Sequence, residues 1–102
     1  MAVKIVWTGS AWLDLENVAD FIARDSPYYA AAVVRSVKEA SRSLRRFAKR
    51  GRVVPEIDNP AIRELFVNNY RLIYRIEPQQ IAILAFIYGS RDLKSLWDKR
   101  TS

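Results

Sequence analysis

The spacing of apolar residues changes from helical to alternating about halfway along the chain, and this change restricts the fold. From Ala11 to Phe47, apolar residues recur every three or four positions, which is the spacing that buries one face of a helix. From Ile62 to Ile76 they alternate with polar residues, as is typical of a strand covered on one face. Because a chain of 102 residues can bury one core, we expect the helices and strands to pack against each other.

The first half predicts a strand followed by a helical hairpin. Val3–Trp7 is a short β-branched run that indicates a strand, and Thr8-Gly9-Ser10 ends it and offers hydroxyls that can cap a helix from Ala11. Ser26 and Pro27 form a second start signal, since serine accepts from free N–H groups and proline suits the first helical turn. We expect the second helix to continue from Pro27 until Gly51 ends it.

The second half predicts an antiparallel meander. Residues 52–61 contain two prolines and are interpreted as a loop. Strands at Ile62–Val67 and Tyr70–Ile76 flank a two-residue turn, Asn68-Asn69, because asparagine tolerates positive φ. The almost wholly apolar segment Ile81–Tyr88 predicts a central strand that is covered on both sides.

The last residues complete a single predicted domain that spans residues 1–102. Residues 91–97 predict one or two helical turns, and residues 98–102 predict a frayed tail. The element order is therefore β-α-α-β-β-β. We expect an α+β fold in which the helical hairpin covers one face of an antiparallel sheet.

The predicted register places charged residues together on the face of the sheet that points away from the helices. Glu64, Arg71 and Arg75 share this face, with the glutamate diagonal to both arginines. One interpretation is a surface ion network of small energetic value. The alternative is a site for phosphate or carboxylate, with Arg91 and Arg52 reaching in from the flanking loops.

Net charge favours an anionic partner, since the chain carries +6 and has a pI near 10.0. Eight cations lie between Arg35 and Arg52 against one acid, Glu39, and most fall on the polar side of the second helix. This basic stripe is either a solvated helix face or a docking surface for nucleic acid.

Missing residue types exclude several kinds of chemistry. The chain has no cysteine and no histidine, so we expect no disulfide, no metal site and no cofactor. No glycine-rich phosphate loop is present, and acid–base work would fall to Glu64, Lys94 or a tyrosine. Without a secretory signal or an apolar run long enough to span a bilayer, the sequence predicts a cytoplasmic protein without membrane association.

An ordered set of motifs carries a resemblance to a known family. The set comprises Trp12-x-Asp14-Leu15, Ser26-Pro27, Gly51-Arg52-Val53-Val54-Pro55-Glu56, Ile62-Arg63-Glu64-Leu65, the strand Tyr70–Ile76, and Tyr88-Gly89-Ser90-Arg91. Together they resemble the RelE/ParE superfamily of toxins from bacterial toxin–antitoxin systems. The resemblance covers Val3 to Trp97.

The resemblance implies one of two activities. RelE-like members cut messenger RNA in the ribosomal A site, whereas ParE-like members poison DNA gyrase. Arg71 and Arg91 match arginines of the cutting branch, and Trp97 occupies the place of a catalytic tyrosine but lacks its acidic hydroxyl. The cutting branch also carries two lysines where this chain has Ile62 and Glu64, so we favour the ParE-like branch.

The resemblance also implies a cognate antitoxin that wraps around the toxin. The candidate antitoxin contacts are Leu13, Phe21, Tyr28 and Tyr29. The candidate contacts to target or nucleic acid are Arg52, Arg75, Lys94, Arg42, Arg45 and Lys49. Messenger RNA cleavage remains the alternative activity, so whether the protein is an enzyme stays open. Outside the resemblance, a non-toxic basic module that binds nucleic acid or protein is a third possibility.

Overall fold

A computed structural model of the protein describes residues 3–101. Within them the elements are β1 (Lys4–Trp7), α1 (Gly9–Ala23), α2 (Pro27–Ser43), β2 (Arg52–Val53), β3 (Ile62–Val67), β4 (Tyr70–Ile76), β5 (Gln80–Tyr88) and α3 (Leu93–Thr101). They form one sheet in the order β1-β5-β4-β3-β2, in which β1 runs parallel to β5 and the other neighbours are antiparallel. The predicted α+β fold is confirmed, with β2 added and with the short helix predicted within residues 91–97 observed as α3.

The hairpin of β3 and β4 has the predicted register. Val67 lies opposite Tyr70 and Phe66 lies opposite Arg71. Asn68 in the turn has a φ of 55°, which asparagine tolerates better than most residues. Because side chains alternate across a strand, this register decides which residues face the helices.

Both helix starts are capped as the sequence predicts. The Thr8 hydroxyl accepts a hydrogen bond from the Ala11 N–H at 3.1 Å. The Ser26 hydroxyl accepts from the Tyr29 N–H, also at 3.1 Å, and Pro27 occupies the first position of α2. Each cap satisfies an N–H group that the first helical turn leaves unpaired.

The second helix ends at Ser43, eight residues earlier than Gly51, so the predicted boundary is wrong. The hydroxyls of Ser41 and Ser43 donate to carbonyl oxygens of the preceding turn, at 3.0 and 2.6 Å. Such bonds compete with the helical ladder and favour its termination. The chain then continues in turns up to Arg50, and Phe47 is exposed instead of continuing the buried stripe.

Apolar residues cover the sheet on both faces. The larger core lies between the sheet and the helical hairpin, and it includes Leu15, Val33, Val37, Leu72 and Phe86. The opposite face carries a second core formed by Val54, Ile62, Ile73, Ala85, Ile87 and Leu93. The prediction that β5 is covered on both sides is therefore confirmed. The face that points away from the helical hairpin is therefore not left open, since Val54 after β2 and Leu93 of α3 pack on it.

The chain end is ordered where a frayed tail was predicted. Helix α3 continues to Thr101 because the Arg100 guanidinium donates to both carboxylate oxygens of Asp14, at 2.7 and 2.9 Å. Arg100 also donates to the Leu84 carbonyl at 3.1 Å. Ser102, which the same prediction included, lies outside the described residues. Within residues 3–101, no helix combines the length and the hydropathy needed to cross a bilayer.

Candidate functional site

A buried ion network connects β2, β3 and β4 on the face opposite the helical hairpin. Arg71 donates to Glu64 at 2.6 Å, and its two terminal nitrogens each donate to Glu56 at 2.9 Å. Arg52 approaches Glu64 from the edge strand at 2.6 Å. The network therefore contains two guanidinium groups and two carboxylates, and its formal charges cancel.

The centre of this network, Arg71 with Glu64, is buried, while its outer members Arg52 and Glu56 reach solvent. Arg71 is 4% exposed and Glu64 is 1% exposed, so the predicted surface ion network is wrong about location. Hydrogen bonds from Arg71 lower the pKa of Glu56, and the bonds from Glu56 and Glu64 raise the pKa of Arg71. Sequence reasoning placed Glu64 near both Arg71 and Arg75. The structure pairs Arg75 with Glu77 instead, at 3.8 Å.

Residues 44–51, which we call the turn segment, pack closely against the backbone of β3 and the side chain of Tyr74 on β4. The Tyr74 hydroxyl donates to the Ala48 carbonyl at 2.7 Å and accepts from the Gly51 N–H at 2.9 Å. Burial raises the pKa of Tyr74. A Cβ on Gly51 would lie 2.5 Å from the Glu64 carbonyl oxygen. Gly51 is thus needed for contact between β3 and the turn segment, and not to end α2.

An aromatic groove lies between α1, the start of β4 and the end of β5. Its walls include Phe21, Tyr70, Phe86, Tyr88 and Arg91, and its volume is about 530 Å³. The Tyr70 ring stacks on Phe86 at 5.2 Å between centroids and meets Tyr88 edge to face at 5.6 Å. Burial raises the pKa of Tyr70. We call this surface the aromatic groove.

The groove runs beside a part of β5 that β1 does not cover. Pairing with β1 ends at Ile83, and a shift in the pairing of β5 with β4 follows. Asp14 accepts from the Phe86 N–H at 3.1 Å, while Arg100 binds the Leu84 carbonyl. This ion pair therefore occupies edge groups that a neighbouring strand would otherwise bind. Among the described residues, no strand pairs with this side of β5 between Leu84 and Tyr88.

The comparisons with known proteins decide the family. A family model described as "ParE toxin of type II toxin-antitoxin system, parDE" matches residues 5–93. The chain belongs to the ParE toxin family. The resemblance to the RelE/ParE superfamily is confirmed, and within it the chain is a member of the ParE family. No curated protein matches the sequence.

Two solved structures share this ParE fold. The chain is similar to a protein of the chromosomal ParDE toxin–antitoxin system from P. aeruginosa, with 23% identity and a TM-score of 0.70. That match covers 85% of this chain and 96% of the other. It is also similar to the YoeB/ParE toxin from Agrobacterium tumefaciens, with 20% identity and a TM-score of 0.62, covering 84% and 98% of the two chains.

The predicted nuclease residues of this ParE chain lie in three different surroundings. Arg71 is inside the ion network, while Arg91 is exposed at the aromatic groove. Trp97 is half-buried against the second core and lines a hollow of about 160 Å³ with Arg75. Among the described residues, the groove and this hollow share no lining residue. The structure therefore does not bring the three together in one pocket.

The predicted antitoxin contacts all reach solvent. Leu13, Phe21, Tyr28 and Tyr29 are exposed, Tyr28 to 87%. Phe21 lines the aromatic groove, and the other three lie outside its lining. The sequence did not reveal that Tyr70 and Tyr88 share a groove with Phe21, because Ile81–Tyr88 was predicted to be a strand covered on both sides.

The remaining predicted target contacts are dispersed. Arg42, Arg45 and Lys49 are exposed at and beyond the end of α2, and Lys94 is exposed on α3. Arg52 is bound by Glu64, as described above. Among residues 3–101, no group of three acidic side chains is placed to hold a metal ion.

Proposed function

We propose that this ParE toxin arrests growth by poisoning DNA gyrase, without bond chemistry of its own, and that a cognate antitoxin neutralises it. The supporting observation is the match of the ParE model to residues 5–93. The choice of gyrase follows from the resemblance to the ParE-like branch.

The state of the predicted nuclease residues supports this choice over messenger RNA cleavage. An arginine that stabilises a cleavage transition state must face the scissile phosphate. Arg71 instead faces two carboxylates within a buried network. At the positions where cutting members carry lysines, this chain places Ile62 in the second core and Glu64 in the network. Binding of RNA there would require the network to open.

The aromatic groove is the best candidate for the antitoxin site. It combines a concave apolar surface with exposed aromatic side chains, so the apolar face of an antitoxin segment can bury area there. Phe21 lies on one wall and Tyr88 on the other. Leu13, Tyr28 and Tyr29 extend the exposed apolar surface along α1 and the start of α2. An antitoxin segment that folds on binding would cover this surface.

Expression without the antitoxin tests the proposal in cells. We expect growth arrest with filamentation and DNA breaks, while messenger RNA stays intact. Rapid loss of translation with cleaved messages would refute gyrase poisoning and favour messenger RNA cleavage. Unaffected growth would leave only the non-toxic binding module.

Substitution of Phe21 and Tyr88 tests the antitoxin site. Aromatic residues at the centre of an interface commonly contribute about 2 kcal/mol or more, so Phe21→Ala with Tyr88→Ala should weaken antitoxin binding at least about 30-fold. Phe47→Ala is the matched control, since Phe47 is equally exposed but lies beyond α2. Calorimetric titration of each variant with the antitoxin provides the measurement. Equal affinities for both variants would place the antitoxin elsewhere.

Arg91 tests whether the groove region also contacts the target. It is exposed and lies three residues beyond the end of β5. Arg91→Ala should reduce growth inhibition while the antitoxin complex still forms. Undiminished arrest would show that this guanidinium has no part in toxicity.

A further inference from the structure

Four cations meet at the junction of β1 with the end of α2. Arg42 and Arg45 line two neighbouring hollows of about 400 and 380 Å³. Arg46 also lines the first hollow, and Lys4 of β1 also lines the second. All four side chains belong to exposed residues. We call Lys4, Arg42, Arg45 and Arg46 the cation surface.

The cation surface differs from the basic residues of the sheet and of α3 that form ion pairs, because no acid among the described residues pairs with any of its four members. Ion pairs within residues 3–101 involve Arg52, Arg71, Arg75 and Arg100, and none involves a member of the cation surface. Of the described residues that line its two hollows, none is acidic. Glu39, the acid nearest in sequence, instead lines a separate hollow with Arg50.

Helix capping does not account for this concentration of charge. The carboxyl end of a helix carries about half a negative charge, and Arg42 in the last turn of α2 already complements it. Arg45 and Arg46 follow in the turn beyond the helix and line the same hollow as Arg42, so their like charges lie close together and repel. A compact set of cations that repel one another is stabilised when an anion binds.

We propose that the cation surface binds duplex DNA through the phosphate backbone. Duplex DNA carries about one negative charge per 1.7 Å of axis, and guanidinium groups bind phosphate with two parallel hydrogen bonds. Proteins that bind single strands use several stacking aromatic residues, whereas Phe47 is the one aromatic residue lining these hollows among the described residues. The Ser43 hydroxyl, which could otherwise meet an RNA 2′-hydroxyl, already donates to Ala40 and accepts from Arg50.

This proposal does not depend on gyrase as the target. DNA binding can be measured with the toxin alone, and gyrase poisoning is measured with the enzyme. A toxin that binds DNA without poisoning gyrase would refute the proposed function alone. A toxin that poisons gyrase without binding DNA would refute the present proposal alone.

The experiment titrates the full-length protein into a short fluorescent DNA duplex at several salt concentrations. Four phosphate contacts predict that the logarithm of affinity falls with the logarithm of salt at a slope of about −4. Arg42→Gln with Arg45→Gln should lower affinity about tenfold or more near 0.1 M salt and reduce the slope by about 2. Arg24→Glu changes the net charge by the same two units at an exposed residue elsewhere, and should change affinity less than about threefold.

Competition identifies the class of partner. Unlabelled duplex DNA should displace the fluorescent duplex at lower concentrations than single-stranded RNA or polyglutamate. Equal losses for Arg42→Gln with Arg45→Gln and for Arg24→Glu would overturn the proposal, because net charge alone would then explain binding. Stronger competition by RNA or polyglutamate would also overturn it, and would assign the surface to that partner.

Discussion

Arg71 and Arg75 lie two residues apart on β4, yet their surroundings differ. Arg71 is buried with two carboxylates at 2.6 and 2.9 Å. Arg75 is partly exposed and has a carboxylate at 3.8 Å. Removal of one partner from a buried pair leaves an uncompensated charge, whereas an exposed pair contributes little.

Arg71→Gln should therefore lower the free energy of unfolding by about 3 kcal/mol. Arg75→Gln on the same strand should lower it by less than about 1 kcal/mol. Urea denaturation of both variants provides the comparison. Equal losses would contradict a structural role for the network.

Gly51 gives a second comparison at single residues. Gly51→Ala brings a methyl group within 2.5 Å of a backbone oxygen, and overpacking of this kind commonly costs about 1–3 kcal/mol. Gly9→Ala meets no atom within 4 Å and lies at the start of α1. It should leave stability unchanged or slightly raise it. Thermal unfolding of both variants provides the measurement. Equal destabilisation of Gly9→Ala and Gly51→Ala would show that the close contact at Gly51 is not the cause.

Glu56 predicts part of the acid dependence of stability. Arg71 lowers the pKa of Glu56 below its ordinary value of 4.5. A carboxylate with a lowered pKa stabilises the fold above its unfolded pKa, and this contribution is lost as the pH falls through the folded pKa. Glu56→Gln should therefore destabilise the protein near neutral pH and converge with the wild type in acid. Denaturant unfolding across this range tests the sign, and a gap that widens in acid would contradict it.

At the scale of elements, α3 depends on one ion pair that local sequence cannot reveal. Asp14 and Arg100 are 86 residues apart, and their side chains join α1 and α3 to the edge of β5. Local spacing predicted a short helix and a frayed tail, because the stabilising partner of Arg100 lies near the other end of the chain.

Arg100→Gln should loosen the last turns of α3. Loss of hydrogen bonds to a charged group commonly costs about 1.5–3 kcal/mol. We expect faster amide exchange in residues 97–101 and a shift in Trp97 fluorescence. Lys94→Gln on the same helix is the control, since Lys94 is exposed. Unchanged exchange in Arg100→Gln would show that α3 packs without the pair.

Sequence predicted the elements whose signals are local and missed those that depend on distant contacts. Helix caps and the β3–β4 register follow from residues within a few positions, and both are confirmed. Strand β2 has two residues and pairs with Arg63 and Glu64. It is too short to show an alternating pattern of polar and apolar residues. The groove requires α1 beside the end of β5, and the burial of Arg71 requires Glu56 from a loop. The spacing of residue types along the sequence predicts neither the groove nor the burial of Arg71.

At the scale of the whole molecule, charge is divided between neutralised and free regions. Three arginines of the sheet, Arg52, Arg71 and Arg75, are paired with carboxylates, whereas four cations without an acidic partner among the described residues lie around the end of α2. The apolar surface is likewise concentrated along α1, the start of α2 and the aromatic groove. This division suits a ParE toxin that acts by binding, with one surface for the antitoxin and another for a polyanion.

The most direct test of this account adds the purified toxin to purified DNA gyrase and supercoiled plasmid. The account predicts toxin-dependent cleaved DNA covalently attached to gyrase, which disappears when the antitoxin is added first. Toxin without gyrase should leave the plasmid and added RNA intact. Unchanged supercoiling and no cleaved complex, together with messenger RNA cut in a ribosome assay, would contradict the central claim.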